Sequence, residues 1–240
     1  MKKVVISQPR YLPAINYLQR LKYADIFVFL DNVQIQTRGW ENRNKILIDG
    51  RKKWLTIPVS SSKREVIFKA KICGKDWIRK HKEIIKHAYL RSPYFDERYI
   101  EIYYKNVDKI CETTNFSYDE VLCHLVLTAC RMFEIFPNTV KATELLGKAK
   151  RKGVGNLFLL AEKLGVDVYI SGSNGRVYGV KDYFEKRGIK VMFHDYKYPV
   201  YEQFNSNNFV PWLSFFDVLF NLGYKETRKL IEREPCLNHE

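Results

Sequence analysis

The stretch VVISQPRYLPAINYLQRLKYADIFVFLD, residues 4–31, decides the fold. Val4-Val5-Ile6 is a short run of strand formers that stops at Ser7-Gln8-Pro9, because proline brings no N–H to a strand ladder. Pro13 suits the first turn of a helix. From there Ile15, Leu18 and Leu21 recur at helical spacing with Tyr17 beside them, and Ala24-Asp25 close the helix. Ile26 to Leu30 is an unbroken apolar run, which marks a strand covered on both faces. A strand, a helix and a strand in so short a span form a βαβ unit, whose strands are parallel. The fold class is therefore α/β, with a mostly parallel sheet opened by this unit.

Downstream, Ile46 to Ile48, a turn at Asp49-Gly50 and Trp54 to Ile57 read as a hairpin. Val66 to Ile72 alternates apolar and basic residues, as an exposed strand would. Asp76 to Tyr89, Tyr94 to Cys111 and Tyr118 to Phe133 read as helices, and so does Asn156 to Leu164. Val166 to Ile170 and Ile189 to His194 read as strands with a helix over Val180 to Arg187 between them. Trp212 to Leu222 is an apolar helix stopped by Gly223, and the last residues should fray. The pattern predicts a single α/β domain over residues 1–240, with a helical insertion or subdomain over 76–152.

The chain of 240 residues is 46% hydrophobic, enough for a full core and unlike a disordered chain. Its net charge of +14 favours anionic partners, namely nucleotide sugars, phosphates or nucleic acid. The plain alternative is a solvated lysine-rich surface. Five cysteines, with no CxxC spacing, argue against a disulfide framework or a thiolate zinc site. The apolar start is too short for a signal peptide, and no stretch is long enough to span a membrane. The expected location is the cytoplasm.

In open parallel sheets, ligands bind beyond the carboxyl ends of the strands. Gln8 and Tyr11 follow the first strand and could donate to a phosphate or hydroxyl. Asp31 and Gln34 follow the second, and a carboxylate there could act as base, hydroxyl acceptor or Mg²⁺ ligand. Arg38, Asn42 and Arg43 form a donor-rich group, with Arg43 as the expected anion contact. Ser171 and Gly172 leave a third strand, where glycine lets the backbone approach a ligand, and Tyr178 could reach the same edge. His81 lies one turn after Trp77 on a helix and could move a proton, although a lone helical histidine more often packs. Asp31 and His81 are thus the candidate catalytic pair. His81 and His87 do not share a face, so no metal site is read. Ser214 and Asp217 are explained by capping. The basic run Lys148 to Lys152 could touch RNA or phosphate, but no RNA-binding signature accompanies it.

Several of these segments together resemble the WbqC-like protein family: Gln8-Pro9-Arg10-Tyr11-Leu12-Pro13, Ala24 to Gln34, Trp40 to Lys45, Trp77 with His81, Tyr169 to Gly172, and Pro211 to Asn221. They follow the family's order over nearly the whole chain. The resemblance implies a protein of nucleotide-sugar or surface-polysaccharide (O-antigen) pathways that modifies an amino sugar by acyl or aminoacyl transfer. The cofactor is not specified; Mg²⁺ or an acyl or aminoacyl donor are the classes left open. The alternatives are a non-catalytic nucleotide or sugar-phosphate binding protein and a tRNA-binding protein. The nucleotidylyltransferase-like folds open in a similar way, but their HxGH motif is missing from the Tyr11-to-Tyr17 turn.

Overall fold

The structure, a computed structural model, describes residues 1–36, 39–60, 65–204 and 206–239. In chain order the elements begin with β1 (Lys3–Ser7), α1 (Ile15–Tyr23) and β2 (Ile26–Phe29). An antiparallel hairpin follows, β3 (Arg43–Ile48) with β4 (Arg51–Thr56). The short strands β5 (Val59–Ser60) and β6 (Lys71–Ile72) pair with each other. Helices α2 (Asp76–Tyr89), α3 (Glu97–Tyr104), α4 (Val107–Thr113) and α5 (Tyr118–Met132) come next. Then follow β7 (Thr139–Lys141), α6 (Ala142–Leu146), α7 (Gly153–Lys163) and β8 (Val168–Gly172). The chain closes with α8 (Val180–Glu185), β9 (Lys190–His194), α9 (Phe215–Glu232) and β10 (Leu237–Asn238).

The central sheet runs β10-β9-β8-β1-β2-β7, parallel except for β10. β1 pairs with β2 in the expected parallel register, Val4 opposite Ile26 and Ser7 opposite Phe29. Period-two alternation then sends neighbouring side chains to opposite faces. Val5, Phe27, Phe29 and Ile170 pack on one face against α1, α5 and α9. Val4, Ile6, Val28 and Phe193 pack on the other against α7 and α8. Both faces are covered, which is why β2 reads as a continuous apolar run. The apolar residues of α2, α3 and α5 belong to the same cluster as those of α1 and α9.

Several boundaries differ from the sequence reading. Tyr94 to Cys111 is two helices, because Asn106 takes a left-handed φ of 63° between them. Val66 to Ile72 holds a 3-10 turn at Ile67–Lys69 with Ile67 fully buried, rather than an exposed strand. Gly223, at φ 80°, kinks the last helix instead of ending it, and α9 continues to Glu232. Leu237 and Asn238 do not fray but pair with His194 and Phe193. β7 extends the parallel sheet beyond β2, although its three half-buried residues carry little pattern.

β1 lies where the winding reverses. The chain leaves it for β2 on one side, while β8, on its other side, continues outward to β9. A crevice opens at such a point, between strands whose connections run in opposite directions.

Candidate functional site

A cleft of about 1380 Å³ occupies this crevice. It is lined by the residues that leave β1, β8 and β9, by the loop after β2, and by the start of α7. The loop from Gln8 to Pro13 forms part of its floor and is held from four directions. Tyr17 Oη donates to the Gln8 carbonyl at 2.8 Å, and Tyr11 N–H donates to the Glu41 carbonyl at 2.8 Å. Leu12 N–H donates to Tyr103 Oη at 3.1 Å, and Asn44 Nδ2 donates to the Leu12 carbonyl. Leu12 itself sits at φ 47°, a left-handed value that a branched side chain adopts only where its surroundings over-determine it.

Two guanidinium groups flank Tyr17 at the cleft floor. Arg10 and Arg20 each place Cζ 5.3 Å from the Tyr17 ring centre. Arg20 is 8% exposed, and its Nε has no hydrogen-bond partner among the described residues. Neither arginine forms an ion pair among the described residues; Glu41 reaches Arg10 only through its field. Burial, then repulsion from Arg10, lowers the Arg20 pKa to about 10. A guanidinium stays charged at neutral pH even so, and this one is held as a buried cation without its counter-charge. The contrast within the molecule is Lys141, also largely buried, which is paired with Asp119 and Glu120.

The rest of the lining has the same sign. Lys150, Arg151, Lys152 and Lys197 join Arg10 and Arg20 around the cleft. The one carboxylate among the described lining residues, Asp195, is held by both Arg176 nitrogens at 2.7 Å and by Asn238 at 2.7 Å. The basic run is anchored there by Arg151 N–H, which donates to the Asn32 carbonyl at 2.8 Å, and it leads directly into the N-terminus of α7. Free N–H groups and the helix dipole favour an anion at that end. Trp212 supplies an aromatic wall: it lines the cleft at 40% exposure, 4.9 Å from the Tyr198 ring and 6.2 Å from Tyr196. Its φ of 63° is an outlier for so bulky a residue.

Of the residues singled out from the sequence, the cleft gathers Gln8, Gln34, Ser171, Gly172 and Tyr178. A Cβ on Gly172 would lie 3.6 Å from Arg20 Nη1, so a longer side chain would cover that guanidinium. Arg38 lies outside the described residues. The others stand elsewhere. Asp31 is fully buried, and it accepts from Thr143 N–H at 2.9 Å and from the Thr143 hydroxyl at the start of α6. Burial raises its pKa. Tyr11 is also fully buried, with its hydroxyl 2.7 Å from His81 Nδ1 and bonded to Tyr104 Oη. His81 packs edge-on to Trp77, and burial lowers its pKa to about 4. Asn42 Nδ2 donates to the Ile57 carbonyl, and Arg43 stacks 4.1 Å from the Trp54 ring centre on the hairpin. These five do not line the cleft. Asp217 is likewise more than a cap: it accepts from Tyr89, Tyr201 and Gln203 in the core.

Sequence reasoning passed over Arg10, Arg20, His194 and Trp212. Arg10 stands inside a quoted motif, between two prolines, and that position was the available signal. Arg20 falls on the polar side of the α1 pattern, so periodicity hides its burial. Among the described residues, no group of three or more His, Cys, Asp or Glu is placed to hold a metal ion. A cationic lining with one fully paired carboxylate does not fit a resident divalent cation. No helix among the described residues is long and apolar enough to cross a membrane.

The chain is 29% identical over 228 residues to a Mycobacterium tuberculosis protein described as uncharacterized, Rv1507c, and the alignment covers 93% of this chain and 95% of that one. No solved structure matches it significantly. The family model for the WbqC-like protein family matches residues 8–229, from the floor of the cleft to the last helix, and the chain belongs to that family.

Proposed function

We propose that the cleft binds a phosphorylated or nucleotide-linked sugar and that the protein modifies an amine of that ligand by acyl or aminoacyl transfer. The observation that carries this reading is the pair Arg10, half-buried, and Arg20, buried, at the crevice of a parallel sheet, neither of them in an ion pair among the described residues. A buried charge is stable only when paired, and here the counter-charge is the ligand's. Guanidinium forks suit phosphate oxygens, which they bind in bidentate fashion. The volume of about 1380 Å³ exceeds what a lone phosphate needs and fits a ligand of several rings. Trp212, Tyr196 and Tyr178 offer ring faces against which a sugar or base can stack. The acyl-transfer step rests on the family's pathway context. In it the amine nitrogen bonds to the acyl carbon, the bond from that carbon to its carrier breaks, and the amine's proton passes to an acceptor.

The test has two parts. Calorimetric titration with inorganic pyrophosphate and with a panel of nucleotide sugars should give binding that Arg10→Met or Arg20→Met weakens about 10- to 100-fold, the worth of one charged hydrogen-bonded contact. Incubation of a bound nucleotide-linked amino sugar with acyl or aminoacyl donors should add one acyl mass. Binding of total tRNA that ignores both arginines would favour the RNA reading. Binding without any mass gain would leave the non-catalytic reading standing.

A further inference from the structure

The transfer needs a group to take the amine's proton, and the candidates read from sequence, Asp31 and His81, are buried away from the cleft. His194 is not. It closes β9, opposite Gly172 of β8, and lines the same cleft as Arg10 and Arg20. Its protonation pattern follows from its neighbours. Gln19 Nε2 donates to the Arg233 carbonyl at 3.0 Å and to the Leu230 carbonyl at 3.4 Å. Those two acceptors fix the Gln19 amide with Oε1 facing away from them. Oε1 can only accept, and His194 Nε2 lies 2.7 Å from it. Nε2 therefore carries the hydrogen, and in the neutral ring Nδ1 is bare. Nδ1 has no hydrogen-bond partner among the described residues.

We propose that His194, fixed in one tautomer by Gln19, is the proton-accepting group of this cleft. Its Nδ1 takes the proton from the amine or hydroxyl of a ligand whose anionic end rests on Arg10 and Arg20. The proposal rests on the anion reading above. In the transfer step the proton leaves the attacking nitrogen for Nδ1 and passes on to the departing carrier as the carbon–carrier bond breaks. Gln19 is a positioning residue: it touches no ligand and acts through the ring.

The charges around the ring couple it to the anion. Burial is the first cause that draws its pKa down to about 4, and the field of Arg20 is the second. Arg233 adds to the lowering, while Asp195 opposes it. Asp195 is already paired with Arg176 and Asn238, and Tyr196 meets the ring face at 5.6 Å between centres. An anion on Arg20 cancels one of the two lowering fields, so proton affinity at Nδ1 should rise when the ligand enters. The cleft thus makes its base stronger only when loaded.

Long-range proton–nitrogen correlation spectra of histidine-labelled protein test this without a known substrate, with His194→Asn identifying the signal. Free protein at neutral pH should show His194 protonated at Nε2 and bare at Nδ1. Saturating inorganic pyrophosphate should raise its titration midpoint by about one unit, as expected for neutralising a neighbouring charge. Gln19→Leu should mix the two tautomers while backbone spectra elsewhere stay in place, an effect that a merely structural glutamine would not produce. If that variant does not fold, the wild-type tautomer and midpoint decide alone. An Nδ1–H tautomer, or a midpoint that stays put while pyrophosphate shifts Arg10 and Arg20 signals, overturns the role of His194 and spares the anion site. No pyrophosphate binding at all overturns both.

Discussion

At the residue scale the molecule separates side chains that hold the fold from those free to act. Asp31 has both oxygens occupied by Thr143, and Tyr11 shares its hydroxyl with His81 and Tyr104. These polar groups are satisfied internally, so they offer a ligand nothing without first breaking a bond. Arg20 is the opposite case: buried, charged, and with an Nε that has no hydrogen-bond partner among the described residues. A buried charge that lacks a paired carboxylate burdens the folded state, which is the signature of a binding residue that trades stability for function. Arg20→Met keeps the apolar stem and removes the charge. It should leave the melting temperature unchanged or raise it, by up to about 2 kcal/mol in unfolding free energy, the desolvation cost of one unsatisfied polar group. The same variant should lose most of its pyrophosphate affinity. Chemical denaturation beside calorimetry reads both, and a clear loss of stability would mean that the guanidinium is structural. Asp31→Ala should do the reverse: it strips Thr143 of its acceptor, costs about 1–2 kcal/mol, and leaves pyrophosphate affinity within about twofold.

At the element scale the strands set where a ligand can bind, and the helix junctions set how tightly the scaffold closes. α9 is two helical segments that turn at Gly223, where φ is 80° and an added Cβ would fall 2.9 Å from Tyr94 Cδ1. Gly223→Ala meets both a left-handed backbone and the Tyr94 ring, whose own backbone N–H donates to the Phe220 carbonyl at 3.0 Å. The substitution should cost about 1–3 kcal/mol, measured by urea unfolding, and Gly223→Asn, which tolerates the left-handed region better, should cost less. The elements also show what a single sequence carries. The βαβ unit was legible because β1, α1 and β2 each have their own period and punctuation. The cleft's edge was legible because β1 and β8 end in polar residues. What strand ends do not disclose is which way the next side chain turns. Asp31 follows β2 by two residues and turns towards α6, while Arg10 follows β1 by three and lines the floor of the cleft. β7 and β10 are three and two residues long, too short for alternation to speak, so β10 was read as fraying chain. The basic run from Lys148 to Lys152 was visible as charge, but not the bonds that hold it at the cleft, from Arg151 N–H to the Asn32 carbonyl and from Lys150 Nζ to Gln34 Oε1.

At the scale of the whole molecule, two buried histidines tie stability to pH. His81 lies in the core with Tyr11 and Trp77, and His194 lies at the carboxyl end of β9 with Gln19. Burial, the leading cause at both, lowers each pKa from 6.5 to about 4. Between those values the unfolded chain binds a proton at each position and the folded chain does not. Acid therefore pulls the equilibrium towards the unfolded state, and stability must rise with pH across this window. The contribution is fully present above about 6.5 and lost as pH falls towards 4, roughly 2–3 kcal/mol for each ring. Asp31, Glu41 and Asp217, whose pKa values burial raises, act in the opposite sense and lose stability as pH rises. The net slope of the wild type is thus a sum of opposing parts, and the informative quantity is a difference. His81→Phe keeps the volume but cannot bind a proton. Its stability should be lower than wild type at pH 7, because Tyr11 loses a hydrogen-bond partner. The gap should narrow as pH falls from 6.5 to 4, because only the wild type is losing the histidine contribution. Urea midpoints at half-unit pH steps would show it. A gap that stays constant with pH would mean that His81 titrates alike in the folded and unfolded chain, and that its place beside Tyr11 is open to water.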